Sequence, residues 1–320
     1  MTKINDDQKG SDKNSNSQED STGFSFSEQR AKELIETRRD VESEDPLSAD
    51  EVTFMSSILV QATLPHSDPG DVEAWGRSNG DAQLYIQPGV EKSEDGEYQK
   101  IGLPYGSYPR LLLVWMTSEV TRTGRRRLNF GESLSRFMKD LGLQVTGGEH
   151  GTIGRFQEQM RRLFTARIGM IWRESGHEKR QAALVADELD LWWDPKEPDQ
   201  TTLWESSVQL SQPFFQALRD RPVPADRRIL RRVKQSSLAN DLYLWLTYRV
   251  SRLDEPLTLS WQQVHDQMGA DYSRARDFAA KAREHLKEIS VIWDDLQYET
   301  PRGRLRVYPS SPSVPKNVDN

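Results

Sequence analysis

The chain has 320 residues, of which 35% are hydrophobic and 29% are charged, and it contains no cysteine. Its length is typical of about two domains, and the lack of cysteine excludes disulfides and thiolate-bound metal centres. No apolar run approaches the roughly 18 residues that a membrane span requires, and the polar amino-terminal segment lacks the apolar core of a signal peptide. We therefore expect a cytoplasmic protein without a membrane partner.

The net charge of -7 hides two basic blocks. Residues 101–181 contain 14 lysines and arginines against 7 aspartates and glutamates, and residues 206–310 contain 17 against 13. Because charges are screened within about 10 Å at ordinary salt, the local charge balance decides which partner a surface attracts. The net charge therefore does not exclude a nucleic-acid partner.

Changes in composition predict the domain organisation. The amino-terminal segment has too few apolar residues to form a core, although residues 28–40 favour a short helix. The segment WDPKEPDQTT at 193–202 has two prolines and an acidic excess, which indicates a boundary. The predicted parts are a disordered or charged tail (1–50), a first folded domain (51–195), a second folded domain (196–310) and a flexible end (311–320).

The first folded block predicts a fixed order of elements. Residues 108–124 favour a helix, because Pro109 suits its first turn, apolar residues recur at helical spacing and Gly124 can end it. The predicted elements that follow are a strand (127–130), a helix (131–143), a glycine-rich turn, a third helix (152–167) and a hairpin (169–193). Helix, strand, helix, helix and hairpin are the order of a winged helix.

The second block repeats this order. Its predicted elements are a helix (236–253), a strand (256–260), two helices (261–269 and 270–289) and a hairpin with a Pro–Gly turn. An offset of 130 residues matches Trp115 with Trp245 and Met138 with Met268. The sequence therefore predicts a mainly α fold with small β-hairpins, α+β in class, built as tandem winged-helix domains.

The glycine-rich turn TGGEHG at 146–151 allows two interpretations. A phosphate-binding loop of the Walker type needs the pattern G-x-x-x-x-G-K-[ST], with its lysine on the terminal phosphates. This turn has no lysine, Glu149 stands where a phosphate would lie, and the element before the turn is predicted to be helical. The sequence favours a turn between two helices, in which glycine supplies a positive φ.

The helix after this turn has two different faces. One face is apolar and predicts a buried stripe of Ile153, Phe156, Met160, Leu163 and Phe164. The opposite face has long hydrogen-bond donors that suit base edges in a major groove: Arg155, Gln159 and Arg162. A basic flank precedes the turn and consists of Arg122, Arg125, Arg126 and Arg127. Together these residues predict the first DNA-binding surface.

Further candidate DNA contacts lie on the third helix of the second block and on both hairpins. The helix has five cations around an apolar stripe: Arg274, Arg276, Lys281, Arg283 and Lys287. Asp277 and Glu284 lie among them, so ion pairing on a solvated helix face explains the same pattern. The hairpin cations are Lys179 and Arg180 in the first block and Arg302 and Arg304 in the second. Such hairpin cations are expected to contact phosphates.

Residues 102–164 resemble the plasmid-encoded RepA family of replication initiators. The resemblance rests on LPYGSYPRLLLVW, RTGRRRLNFGESLSRFMKDLGL, TGG and FQEQMRRLF, and it extends more loosely over 50–195. It implies a protein that binds repeated double-stranded DNA sites, called iterons, at a plasmid origin, opens the duplex and recruits the replication machinery. The implied partners are host initiator and helicase proteins and a second copy of the chain, in a dimer that exchanges with monomer.

No motif for catalysis or metal binding accompanies these features. The five histidines form no H-x-H or H-E-x-x-H pattern, and no serine lies in G-x-S-x-G. We therefore expect no enzyme activity, metal or cofactor. Three alternatives stay open: a winged-helix repressor or partition and copy-control protein without initiator activity, an enzyme that acts on nucleotides or DNA ends, and a protein that uses one winged helix only to dimerise.

Overall fold

A computed structural model describes residues 26–61, 63–79, 82–93, 95–148, 151–174, 177–193, 197–200, 206–268 and 271–315. These ranges form ten helices and fourteen strands in small antiparallel sheets, so the predicted α+β class is confirmed. The helices are α1 (Glu28–Ser43), α2 (Ser57–Gln61), α3 (Ser107–Thr123), α4 (Leu134–Asp140), α5 (Thr152–Thr165), α6 (Gln212–Arg219), α7 (Arg227–Val233), α8 (Ser237–Val250), α9 (Trp261–Met268) and α10 (Ala275–Ile292). The strands are β1 (Val52–Met55), β2 (Trp75–Asn79), β3 (Ala82–Gln87), β4 (Gly89–Lys92), β5 (Tyr98–Gly102), β6 (Arg127–Gly131), β7 (Arg167–Glu174), β8 (His177–Leu184), β9 (Ala186–Asp190), β10 (Ser206–Leu210), β11 (Val223–Asp226), β12 (Leu257–Ser260), β13 (Tyr298–Glu299) and β14 (Arg304–Val307).

Local capping explains where several helices begin and end. Serine side chains accept backbone N–H groups in the first turns of α1, α4, α6 and α8. Ser260 and Gln263 cap the start of α9 reciprocally, since the backbone N–H of each donates to the side-chain oxygen of the other. Gly124 ends α3 in the left-handed conformation, with φ at 66°, as its position in the sequence predicts.

Two three-stranded sheets have the same strand order. In β6-β10-β9 and in β12-β14-β13, the strand that comes first along the chain lies at one edge and the third lies in the middle. In each case a long helix precedes the first strand, and two further helices lie between the first and second strands. We call these two sets of elements the first repeat and the second repeat; the first runs from α3 to β10 and the second from α8 to β14.

The hairpin of the first repeat differs from the prediction. The sequence predicts it within 169–193, but β7 and β8 belong to a separate sheet of order β2-β3-β7-β8. The pair that completes the β6 sheet is β9 with β10, in which Val208 of β10 lies between Leu128 of β6 and Leu189 of β9. The prediction failed because the pairing of β10 with β6 joins residues about 80 positions apart and leaves no local pattern.

The predicted boundary at 195/196 lies between the paired strands β9 and β10. A division of the chain there would separate two neighbours in one sheet. The segment that follows β9 also enters the first core: Trp193 is 8% exposed, and its ring lies 5.4 Å from that of Phe130 and 5.9 Å from that of Phe137. The prolines and acids of this segment therefore mark a surface connection within one sheet.

The segment from residue 28 to 43 is a folded part of the protein, contrary to its assignment to a tail. Its helix α1 packs on α7 and α10, and Leu34 is 1% exposed. Arg30 donates two hydrogen bonds of 2.9 Å to the carboxylate of Glu288. Burial alone raises the pKa of Glu288, but the hydrogen bonds from His285 and Arg30 hold this pKa at about 2. Residues 1–25 of the predicted tail lie outside the described residues.

A buried ion pair joins the first helices of the two repeats. Arg110 on α3 is 1% exposed and Asp241 on α8 is 4% exposed. The Nε and Nη2 groups of Arg110 donate to the two carboxylate oxygens of Asp241 at 2.7 and 2.8 Å. Arg110 also donates to three backbone carbonyl oxygens, and Nε2 of His66 lies 2.8 Å from Oδ2 of Asp241. These bonds fix the orientation of α3 relative to α8.

Candidate nucleic-acid interface

The glycine-rich turn sets the geometry between α4 and α5. Thr146 and Thr152 bond across it, each backbone N–H donating to the other's Oγ1 at 3.0 Å. Gly148 adopts a φ of 84°, and a Cβ on Gly151 would lie 2.3 Å from the carbonyl oxygen of Thr146. Because the turn joins two helices and its glycines serve backbone geometry, the interpretation as a helix-to-helix turn is confirmed. Residues 149 and 150 lie outside the described ranges.

The buried stripe predicted on α5 is confirmed, since none of its five members is more than 6% exposed. On the opposite side Arg155 is exposed. Its Nε donates to the carbonyl oxygen of Gly151 at 3.2 Å, which holds the guanidinium near the start of the helix. The amino-terminal residues of a recognition helix are those that contact base edges in a major groove. Arg155 therefore lies on the exposed face of α5, in its first turn.

Gln159 and Arg162 do not share this exposed face, contrary to the prediction. Gln159 is 6% exposed, and its Oε1 accepts the backbone N–H of Tyr105 at 2.8 Å. The side chain of Arg162 is 16% exposed and pairs with Glu158 at 2.8 Å and Asp68 at 3.2 Å. The helical wheel omits the segment that follows β5, which packs over this side of α5. Both side chains therefore support the fold of the first repeat.

Most of the basic flank is engaged within the protein. Three of its arginines pair with carboxylates: Arg122 with Glu119 at 2.6 Å, Arg126 with Asp187 at 2.8 Å and Arg127 with Glu188 at 3.4 Å. The last two pairs link β6 and its preceding turn to β9. Arg125 is exposed, and within the described ranges no carboxylate pairs with it.

Lys179 and Arg180 lie on β8 and not in the sheet of the first repeat. Arg180 pairs with Glu178 on the same strand. Their expected role as hairpin-tip contacts of the first repeat rested on the wrong hairpin. The connection that does occupy this place, between β9 and β10, is described only at residues 191–193 and 197–200.

The cations of α10 differ in their surroundings. Pairs within or beside the helix are Arg274 with Asp277 at 2.7 Å, Arg276 with Asp277 at 3.4 Å, and Lys281 with Glu284. Arg276 has an exposed fraction of 80% despite its pair. Arg283 lies 5.0 Å above the ring of Trp261, and Lys287 lies 5.4 Å from the ring of Phe26, beside α1. The amino-terminal half of α10 therefore remains the accessible half, whereas α1 covers part of the other.

The turn of the second hairpin carries two exposed arginines. Arg302 and Arg304 flank Gly303, which adopts a φ of 77°. The backbone N–H of Trp261, the first residue of α9, donates to the carbonyl oxygen of Gly303 at 3.2 Å. This bond places the hairpin turn against the start of α9.

A match to a protein-family model identifies the family of this chain. The model for the family described as plasmid encoded RepA protein matches residues 103–263, about half of the chain. The chain belongs to this family. It is accordingly a RepA-family replication initiator, as the resemblance of residues 102–164 implied.

One solved structure shares a similar arrangement with this RepA-family protein: the crystal structure of selenomethionine derivatives of domain 2 and domain 3 of RctB. The two chains are 11% identical, with a TM-score of 0.47, and the similarity covers 76% of this chain and 94% of that one. No curated protein matches the chain.

Among the described residues, the exposed arginines of this RepA-family protein that are interface candidates and have no carboxylate partner are Arg125, Arg155, Arg302 and Arg304. They come from both repeats: Arg125 from the turn after α3, Arg155 from a third helix, and Arg302 and Arg304 from a hairpin. In the described ranges, no cluster of three or more His, Asp or Glu residues is arranged to hold a metal ion. No described helix is both long enough and apolar enough to cross a membrane.

Proposed function

We propose that this initiator binds double-stranded DNA sequence-specifically through two winged helices, one in each repeat. The observation that carries the proposal is the shared strand order of the β6-β10-β9 and β12-β14-β13 sheets, each combined with a helix, strand, helix, helix sequence. In this arrangement α5 and α10 are the recognition helices, and the turns between β9 and β10 and between β13 and β14 are the wings.

The proposed base contacts come from the first turns of the recognition helices. Arg155 on α5 and Arg276 on α10 are both exposed there, and arginine donates two hydrogen bonds to guanine in the major groove. Arg302 and Arg304 on the second wing, and Arg125 after α3, would contact phosphates and set the register. In this division of roles, the two helix arginines provide the sequence specificity, and the phosphate contacts add affinity.

Two recognition helices on one rigid chain suit repeated sites. The buried pair of Arg110 and Asp241 fixes the angle between the repeats, so the two helices would meet the duplex at a constant spacing. We propose that the repeated sites are the iterons of a plasmid origin, and that origin opening and recruitment of host proteins follow this binding. The protein acts in this proposal without catalysis, metal or cofactor.

Single substitutions at the helix starts test the assignment of α5 and α10. Arg155→Ala and Arg276→Ala should each weaken binding to a cognate duplex by about 1–3 kcal/mol, the cost of losing a base contact. Fluorescence anisotropy with a labelled duplex measures this loss. Arg39→Ala removes an exposed arginine from α1 and should change the affinity less than twofold. If both helix variants bind the duplex as tightly as Arg39→Ala does, the assignment of α5 and α10 as recognition helices is refuted.

A further inference from the structure

A wide basin lies where β8 meets α6 and the end of α8, and none of its lining residues belongs to α5 or α10. It has a volume of about 940 Å³ and is lined by the strand β8 and the carboxyl ends of α6 and α8, with α2 at its side. We call it the basic basin and define it by Lys179, Arg219, Arg221, Gln216, Tyr248 and Arg252. Because both repeats contribute to it, the basin exists only when they are joined as in this fold.

The three arginines of the basic basin have no carboxylate partner among the described residues. In the part of the chain that the structure describes, no carboxylate pairs with Arg219, Arg221 or Arg252, although Asp220 lines the same basin. By contrast, Arg276 and Lys281 of α10 pair with Asp277 and Glu284. Several like charges that face one space repel each other, and a bound anion relieves this repulsion.

Two of these guanidinium groups are held in place by aromatic rings. Arg252 lies 4.1 Å above the ring of Tyr248, and Arg219 lies 5.5 Å above the ring of Phe215. A stacked guanidinium keeps its edge donors available, and that planar set of donors matches the oxygens of a phosphate. The Nη1 group of Arg252 also donates to the carbonyl oxygen of Tyr248 at 3.1 Å and to Oγ of Ser251 at 3.0 Å. Stacking and these bonds orient Arg252, and among the described residues its Nε and Nη2 groups have no hydrogen-bond partner.

The position of Arg221 is not explained by local structure. It follows α6 with a φ of 51°, a left-handed conformation that favours glycine. Cations at helix carboxyl ends offset the negative end of the helix dipole, which accounts for Arg219 and Arg252 at the ends of α6 and α8. The helix dipole does not account for Arg221, which lies beyond the end of α6 in a left-handed conformation.

We propose that the basic basin binds the phosphate groups of a nucleotide ligand, at a site separate from the duplex-reading surface of the proposed function. The amides of Gln61, Gln181 and Gln216 also line the basin, and amide groups donate to and accept from the edges of an unpaired base. A duplex is convex and is read by elements that protrude into its grooves, so a concave basin suits a flexible ligand. Such phosphates come either from a single strand or from a free nucleoside triphosphate.

The test removes two basin charges and compares two probes. The variant Arg221→Gln/Arg252→Gln should bind a labelled single-stranded (dT)12, or ATP, roughly tenfold or more weakly than the unaltered protein, because each charged contact to phosphate is lost. A loss with (dT)12 alone identifies a single strand as the ligand, and a loss with ATP alone identifies a free nucleotide. Anisotropy measures the first probe and calorimetric titration the second.

A matched variant and a second readout complete the test. Arg39→Gln/Lys92→Gln removes two exposed charges outside the basin and should bind both probes within twofold of the unaltered protein. The basin variant should keep its affinity for a cognate duplex within twofold, which separates this proposal from the proposed function. The proposal is overturned if neither (dT)12 nor ATP binds the unaltered protein, or if both double variants lose the same amount of affinity for a probe. It is also overturned if the basin variant loses as much affinity for the cognate duplex as for the probes.

Discussion

Replacing Asp241 by asparagine should lower the free energy of unfolding by about 3–5 kcal/mol, the cost of removing one partner of a buried ion pair. The substitution leaves Arg110 charged and 1% exposed, with only carbonyl oxygens to receive its hydrogen bonds. Because the pair joins α3 to α8, we expect the loss to affect both repeats together and not one alone. Chemical denaturation followed by tryptophan fluorescence measures it, since tryptophans lie in both repeats.

The contribution of Asp241 to the free energy of unfolding should also depend on pH. Burial raises the pKa of this carboxyl, but the charge of Arg110 and the bonds from His66 and Arg110 outweigh burial and lower the pKa below its ordinary value. The pair therefore stabilises the fold fully above the unfolded pKa of about 3.9, and this stabilisation is lost as the pH falls through the lower, folded pKa. The difference in unfolding free energy between the unaltered protein and Asp241→Asn should shrink below about pH 4.

A second asparagine variant serves as the control for this prediction. Asp254 is exposed, and no described residue pairs with it, so Asp254→Asn should change the unfolding free energy by less than about 0.5 kcal/mol. Equal stability of Asp241→Asn and Asp254→Asn at pH 7 would contradict the role given to the buried pair. A difference that stayed constant down to pH 2 would contradict the pKa direction.

Replacing Gly151 by alanine should destabilise the protein by about 3 kcal/mol, at the upper end of the cost of overpacking. The new Cβ would lie 2.3 Å from the carbonyl oxygen of Thr146 and 2.5 Å from that of Gly147. These neighbours are backbone atoms, so relief requires the turn itself to move. Since the turn sets the position of α5, we expect the variant to bind a cognate duplex more weakly than its stability loss alone explains.

Two neighbouring glycines provide matched controls for this substitution. A Cβ on Gly147 or on Gly154 would meet no atom within 4 Å. Gly147→Ala should therefore be nearly neutral, and Gly154→Ala, inside α5, should stabilise the protein by about 0.5–1 kcal/mol. Urea denaturation ranks the three variants. If Gly151→Ala ranks with Gly147→Ala, the close approach at this turn does not constrain the fold.

Features that depend on nearby residues were predictable from the sequence. Gly124 ends α3 because a left-handed residue closes a helix, and Ser260 begins α9 because its side chain reaches a backbone N–H three residues on. The apolar stripe of α5 follows from helical periodicity alone. The family was predictable only from the resemblance of residues 102–164, because hydrophobic periodicity carries no information about family.

Features that depend on distant segments were not predictable in the same way. A helical wheel places Gln159 and Arg162 outside, because it does not contain the segment near Tyr105 that packs on them. The strand β9, with the sequence ADELD, has no apolar alternation to reveal that it pairs with β10. A signal for the buried ion pair did exist: Arg110 and Asp241 each directly precede a mainly apolar run, LLLVW and LYLWL, at nearly equivalent positions of the two repeats.

The most direct test of the account is the specificity of DNA binding. Fluorescence anisotropy would compare a duplex that carries the direct repeats nearest the gene with a scrambled duplex of equal length, across a series of salt concentrations. Two winged helices that read bases predict binding to the repeats about a thousandfold tighter, or more, near physiological salt. Equal and steeply salt-dependent binding to both duplexes would contradict specific reading and would leave only a basic surface.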